Sequence, residues 1–167
     1  MRLKTFVVFA FTLLSTFSLQ PATASAQEPP KTEVFAGYSH FLASSQSAGD
    51  LNGWNASAAW NVNRRFAVEA DASGYYGDGD SIHSLMGGGK FTWRYDHFNP
   101  YVHALGGFVV DTHGDGIAIG AAAVGGGLDV VVNRRLSVRA FQVDYFPLFG
   151  NRVVNNARVS TGIVLTF

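Results

Sequence analysis

Glu69 and Asp71 are two carboxylates two positions apart, and Lys90, Arg94, Arg139 and Arg158 are strong bases that could partner them. On an extended chain that spacing puts both acids on one face, where a general acid and a general base could share a proton. Cations on the same face make an ion pair the plainer outcome. Asp78 and Asp80, then Asp111, His113 and Asp115, lie among glycines. Asp-Gly steps make turns before they bind metals, and neither stretch has the length or the closing glutamate of a calcium loop. No metal, cofactor or catalytic constellation is expected, and the chain is not read as an enzyme.

The elements that must position these acids have a period of two. In Trp54 to Asn63, one face carries Trp54, Ala56, Ala58, Trp60 and Val62, and the other Asn55, Ser57, Ala59, Asn61 and Asn63. Two tryptophans six residues apart on one face span about 20 Å of strand, near the height of an apolar band between two aromatic girdles. From Phe66 to Tyr76 the alternation sets Phe66, Val68, Ala70, Ala72, Gly74 and Tyr76 against Ala67, Glu69, Asp71, Ser73 and Tyr75. A last stretch sets Ala157, Val159, Thr161, Ile163, Leu165 and Phe167 against Arg158, Ser160, Gly162, Val164 and Thr166. Less regular, glycine-rich stretches at Thr32–Leu42, Ile82–Arg94, Tyr101–Val110, Ala118–Val132 and Leu136–Phe146 bring the count to eight. Each has roughly the ten residues that a tilted membrane-spanning strand needs.

These stretches predict an all-β fold, an eight-stranded antiparallel up-and-down transmembrane β-barrel. Its interior polar network would gather Glu33, Glu69, Asp71, Lys90, Arg94, His103, Asp129, Arg139, Gln142, Asp144 and Arg158. Its lipid-facing aromatics would be Trp54, Trp60, Phe66, Tyr76, Phe91, Trp93, Phe108 and Phe167. A barrel of this strand number is just wide enough for side chains to fill it.

Composition is consistent with that reading. Residues 1–26 have the form of a cleaved signal peptide, with Arg2 and Lys4, an apolar stretch from Phe6 to Leu19, and Ala24-Ser25-Ala26 as the cleavage site. A short segment, 27–31, then leads into the barrel at 32–167. Without Arg2 and Lys4, the twelve Lys and Arg fall to ten against twelve Asp and Glu, which argues against nucleic acid as a partner. There is no cysteine, so closure of a sheet or lipid must do what disulfides do in many small secreted domains. The chain is 47% hydrophobic, with a mean hydropathy of +0.12. Yet after the signal no stretch offers the roughly twenty apolar residues of a membrane helix.

Short connections at Asn63-Arg64-Arg65, Tyr95–Asn99 and Asn133-Arg134-Arg135 alternate with longer ones at Ala43–Gly53, Gly77–Ser81, Asp111–Gly116 and Pro147–Asn155. Such asymmetry is expected of outer-membrane barrels, with the short turns periplasmic. Val62-Asn63-Arg64-Arg65-Phe66-Ala67-Val68-Glu69-Ala70 returns 70 residues later as Val132-Asn133-Arg134-Arg135-Leu136-Ser137-Val138-Arg139-Ala140, which predicts two equivalent hairpins half a barrel apart. With Arg139 inward, unbroken alternation would send Gln142 and Asp144 into lipid. A β-bulge near Ala140-Phe141 is therefore expected.

The signal, the opening Val34-Phe35-Ala36-Gly37-Tyr38-Ser39, the alternation and the ending from Ala157 to Phe167 together resemble the small OmpA/OmpX-type outer-membrane barrels. The resemblance implies a bacterial outer-membrane location, contact with outer-membrane lipid and lipopolysaccharide, and a monomer. It also implies that Ile163, Leu165 and Phe167 form a signal for the barrel-assembly machinery. Larger relatives carry a second, peptidoglycan-binding domain, for which no residues follow Phe167. Enzymatic barrels of the lipid A deacylase kind pair His with Ser near the membrane surface. Only Ser81-Ile82-His83-Ser84 offers both, and His83 shares the lipid-facing parity of Leu85, which suits an interfacial ring better than catalysis. Three functions stay open: a structural barrel for envelope integrity or surface interaction, a narrow gated pore, and a soluble lipocalin-like barrel with its apolar face inward.

Overall fold

Alternating side chains need two environments, and a sheet rolled onto itself provides them. The structure, a computed structural model, describes residues 31–43, 50–77, 80–111 and 118–167. The signal segment 1–26, most of segment 27–31, and the loop residues Asp78, His113 and Asp115 lie outside the described residues. Eight strands follow in order: β1 (Thr32–Leu42), β2 (Leu51–Asn61), β3 (Phe66–Gly77), β4 (Asp80–Thr92), β5 (Phe98–Asp111), β6 (Ala118–Val131), β7 (Leu136–Phe149) and β8 (Val153–Thr166). Each pairs antiparallel with the next, and β8 returns to β1. The seam runs from Glu33 opposite Thr166 to Leu42 opposite Ala157. Thr32 N donates to Phe167 O at 3.2 Å and Phe167 N to Thr32 O at 2.9 Å. A closed sheet leaves no strand edge to template aggregation.

The turns after β2 and β6 share one construction. Asn63 Oδ1 accepts the backbone N–H of Arg65 at 2.9 Å and of Phe66 at 2.8 Å. Asn133 Oδ1 accepts those of Arg135 and Leu136, each at 2.9 Å. Asparagine suits the position because its short amide can stand in for a backbone carbonyl. The sequence repeat is thus a repeated turn, four strands apart in an eight-strand ring.

The expected bulge is present. Leu128 pairs with Phe141 and Asp129 with Arg139, so Ala140 has no partner on β6. On the other side Arg139 faces Gly162 and Gln142 faces Ser160. Ala140 and Phe141 are both exposed, while Arg139, Gln142 and Asp144 are all buried. The strands also run further than the alternation suggested. Pro147 reads as a strand end, yet Phe146 to Phe149 pair with Asn156 to Val153, which narrows that connection to residues 150–152. The β6 ladder steps from Tyr145 to Leu148 without pairing Phe146 or Pro147. The N–H that proline lacks is therefore not missed.

Inside, side chains sort by height. Toward the end bearing the connections after β1, β3, β5 and β7, Phe41, Tyr75, Met86, Leu105, Val109, Ala121, Ala123 and Phe146 form one buried cluster, with Leu51, Ile82 and Leu148 against it. Phe41 packs on Tyr75 at 5.1 Å and edge-on to Phe146 at 5.3 Å between ring centroids. The lumen is thus not ionic throughout, as the alternation alone suggested. It is ionic in its middle and at the short-turn end, and it is plugged by apolar rings at the other.

Candidate functional site: the ionic lumen and the outer wall

All eight strands send a polar side chain to one connected network. At the short-turn mouth, Glu33 of β1 receives Lys90 Nζ at 2.9 Å, together with Arg94 Nη2 and, at 3.2 Å, Asn61 Nδ2. Lys90 also lies 4.6 Å from the ring centre of Tyr101. Deeper in, Arg139 of β7 grips Asp129 of β6 with Nε at 2.8 Å and Nη2 at 3.2 Å, a two-point contact that fixes the guanidinium plane. Its third nitrogen donates to Gln142 Oε1 at 2.6 Å, which also accepts the Tyr101 hydroxyl at 2.7 Å. The same guanidinium lies over the rings of Phe35 at 4.1 Å and Tyr101 at 4.4 Å.

The centre belongs to Asp144 and Arg158. Arg158 donates from Nε to Asp144 at 2.7 Å and from Nη1 to Asp71 at 2.8 Å, tying β8 to β7 and, across the lumen, to β3. Arg158 Nη2 stands 2.6 Å from Asp144 Oδ2 but off the hydrogen-bond direction, so that contact is ionic only. Gln142 Nε2 donates to Asp144 at 2.7 Å. His103 of β5 bridges Glu69 (2.9 Å from Nδ1) and Asp144 (2.8 Å from Nε2). With both carboxylates ionised and therefore acceptors only, both ring nitrogens donate and the ring is an imidazolium. Glu33, Glu69, Asp71, Asp129 and Asp144 then face Lys90, Arg94, His103, Arg139 and Arg158, five charges of each sign. Charges removed from water are tolerable when each is paired and its remaining lone pairs or protons are satisfied.

Every oxygen of the carboxylate pair Glu69 and Asp71 already accepts a hydrogen bond or ion pair. Ser57 and His103 take the two oxygens of Glu69, at 2.8 and 2.9 Å. Arg158 and Asn55 take those of Asp71, at 2.8 and 2.7 Å. His83 and Ser84 point to opposite sides of the wall: Ser84 is buried against Ser73 at 2.6 Å, and His83 lies outside, edge-on to Tyr76 at 5.7 Å. They do not form a nucleophile–base pair.

All eleven residues assigned to the interior network face the lumen, ten of them buried and Arg94 partly open at the mouth. Trp54, Trp60, Phe66, Tyr76, Phe108 and Phe167 are exposed on the outer wall, and Phe91 and Trp93 are half-buried there, their rings meeting edge-on at 4.8 Å. Ile163 and Leu165 share the outer face with Phe167. Tyr75, Tyr101, Asn55, Ser57 and Asn61 belong to the network or to the plug above it, yet the sequence did not single them out. Their inward parity was readable in the case of Tyr75, Asn55, Ser57 and Asn61, but a search for ionisable groups passes over the neutral donors that complete them.

No protein-family model and no curated protein sequence matches the chain. Solved structures do. Neisserial surface protein A superimposes with a TM-score of 0.69 over 82% of this chain and 97% of its own, at 17% identity. Ail, the attachment invasion locus protein of Yersinia pestis, gives 0.57 over 83% and 99%, at 13% identity. The outer-membrane protein OprG of Pseudomonas aeruginosa gives 0.57 over 84% and 94%, at 12% identity. The fold is that of the small outer-membrane β-barrels. In this small outer-membrane-barrel fold, identities this low establish the architecture and carry no activity across.

Proposed function

We propose that the chain is a structural barrel of the bacterial outer membrane, a rigid cylinder that contributes to envelope integrity or holds its longer loops at the cell surface. The observation that carries this reading is the inside-out distribution of side chains. Bulky apolar groups such as Trp60, Val68, Leu85, Val124, Phe141 and Leu165 are exposed on the wall, while the ion pairs are sealed within. In water such a wall would aggregate; in hydrocarbon it is the stable arrangement. A soluble lipocalin-like barrel needs the reverse, with an apolar cavity at its centre. The outer leaflet with its lipopolysaccharide is the expected surround of the loop end. The outward row Ile163, Leu165 and Phe167 supports a role as the assembly signal, and the closed sheet supports a monomer.

A narrow pore is the second reading, and the lumen weighs against it. The void left between Glu33, Arg94, Asp129 and Ser137 at the short-turn mouth is about 10 Å³, room for a single water at most. Beyond the ionic layer, an ion would meet the apolar plug of Phe41, Tyr75 and Phe146. Two measurements test the proposal. The protein should leave membranes only with detergent, and in planar bilayers it should give no sustained single-channel steps. Release by salt or alkali would overturn the membrane location, and steady unitary conductance would overturn the closed cylinder.

A further inference from the structure

The short-turn end of the barrel carries a cluster of exposed positive charge. Arg64 and Arg65 are exposed on the turn after β2, Arg134 and Arg135 on the turn after β6, and Lys31 stands exposed beside the first strand. Asp96 is the exposed acid among the described residues of that end. The two arginine turns are four strands apart in a closed ring of eight, so they lie on opposite sides of the cylinder.

Their backbones are held. Arg65 O accepts Thr92 N at 2.7 Å, and Arg135 O accepts Thr166 N at 2.9 Å. Arg64 O accepts Arg94 Nε at 3.1 Å, and Arg134 O accepts the Thr166 hydroxyl at 2.9 Å. With the carbonyls tied back to the barrel and the asparagine side chains closing each turn, the arginines are carried at fixed height. The next exposed residues toward the barrel's middle are aromatic or aliphatic: Trp60, Val62, Phe66, Tyr95, Phe98, Val132 and Phe167. Aromatic residues settle at the level of lipid headgroups, so guanidinium groups one step further out stand at the phosphate layer. Arginine binds phosphate oxygens by two parallel hydrogen bonds, and each cation near an anionic leaflet adds to attraction that salt weakens.

We propose that the short-turn end docks on anionic phospholipid, with Arg64, Arg65, Arg134 and Arg135 taking the phosphodiester headgroups of the leaflet around it. The inference rests on the membrane-spanning reading above and adds lipid selectivity to it. Both turns present the same pair of cations from the same hydrogen-bonded frame, so the preference belongs to the whole rim and not to one side.

The test uses the refolded barrel in a Trp54→Phe background, which leaves Trp60 and Trp93 near the short-turn girdle as reporters. Vesicles of phosphatidylcholine with brominated phosphatidylglycerol, or with brominated phosphatidylcholine in its place, give the relative association of the two lipids from tryptophan quenching. The expected result is a preference of about fivefold or more for phosphatidylglycerol, since one cation at an anionic surface already corresponds to about that factor. It should shrink toward one in molar salt. The variant R64Q/R65Q/R134Q/R135Q should lose it, R64K/R65K/R134K/R135K should keep most of it, and the milder R134Q/R135Q should fall between. A ratio near one for the wild-type protein, or one unchanged in the glutamine variants, overturns the proposal. Quenching by brominated phosphatidylcholine reports insertion separately: its absence would sink the membrane reading itself.

Discussion

Arg158 reaches Asp71 and Asp144 at once from a position with no exposure to solvent. Cutting it back to alanine leaves two buried carboxylates without that cation, and losing one partner of a buried pair costs about 3–5 kcal/mol. Arg158→Ala should therefore lower the urea midpoint of the refolded barrel markedly. A midpoint within error of the wild type would show that the central pair carries little of the stability. Glycine supplies a sharper contrast. A Cβ at Gly162 would stand 2.3 Å from Ala36 O and 2.5 Å from Gly37 Cα, both backbone atoms, and 2.9 Å from the Phe35 ring. One at Gly106 would meet nothing within 4 Å. Gly162→Ala should fail to give a folded barrel or fold with much lower yield, whereas Gly106→Ala should fold as wild type, as read by protease resistance.

Strand β7 shows how one residue can set the orientation of a whole element. The period of two is absolute, so removing Ala140 would shift every later side chain of the strand by one face. Either Arg139 or the pair Gln142 and Asp144 would then enter hydrocarbon. Deletion of Ala140 should abolish the β-sheet circular dichroism of the inserted state; a normal spectrum would mean that the bulge is dispensable. The turns offer a milder measure. Asn63→Ala and Asn133→Ala each remove two hydrogen bonds of the same kind and length. Each should cost about 1–2 kcal/mol, with similar values for the two, because net hydrogen bonds contribute roughly 1 kcal/mol apiece. Unequal losses in equilibrium unfolding would mean that the two hairpins, alike in sequence and geometry, are not alike in energy.

At the level of the molecule, the parts legible in the sequence were those that depend on parity alone. Trp54 and Trp60 against Asn55 and Ser57, or Glu69 and Asp71 against Val68 and Ala70, announce a two-faced strand without reference to any other strand. The displacement of Gln142 and Asp144 announced the bulge in the same way. Height and partnership were not legible. Nothing local to Phe41, Tyr75 or Phe146 says that they meet, since they come from three strands whose register is set by pairing with others. The two partners of His103 are likewise 34 and 41 residues away. Counting acids and bases gave five against four, and only the position of His103 between two carboxylates supplies the fifth positive charge. Pro147 misled because its cost depends on which side of the strand lacks a hydrogen bond, a property of the neighbour.

The seam between Thr32 and Phe167 has one more consequence. Because the first strand is paired with the last along its length, from Glu33 opposite Thr166 to Leu42 opposite Ala157, this architecture has no intrinsic beginning, and chain order matters only through which turn is left open. Linking Phe167 to Thr32 through a few glycines and cutting at residues 150–152 instead should give a permuted polypeptide with the same protease-resistant core. If the permuted chain does not fold, the order in which the strands are made, and not only the finished cylinder, is part of what this sequence encodes.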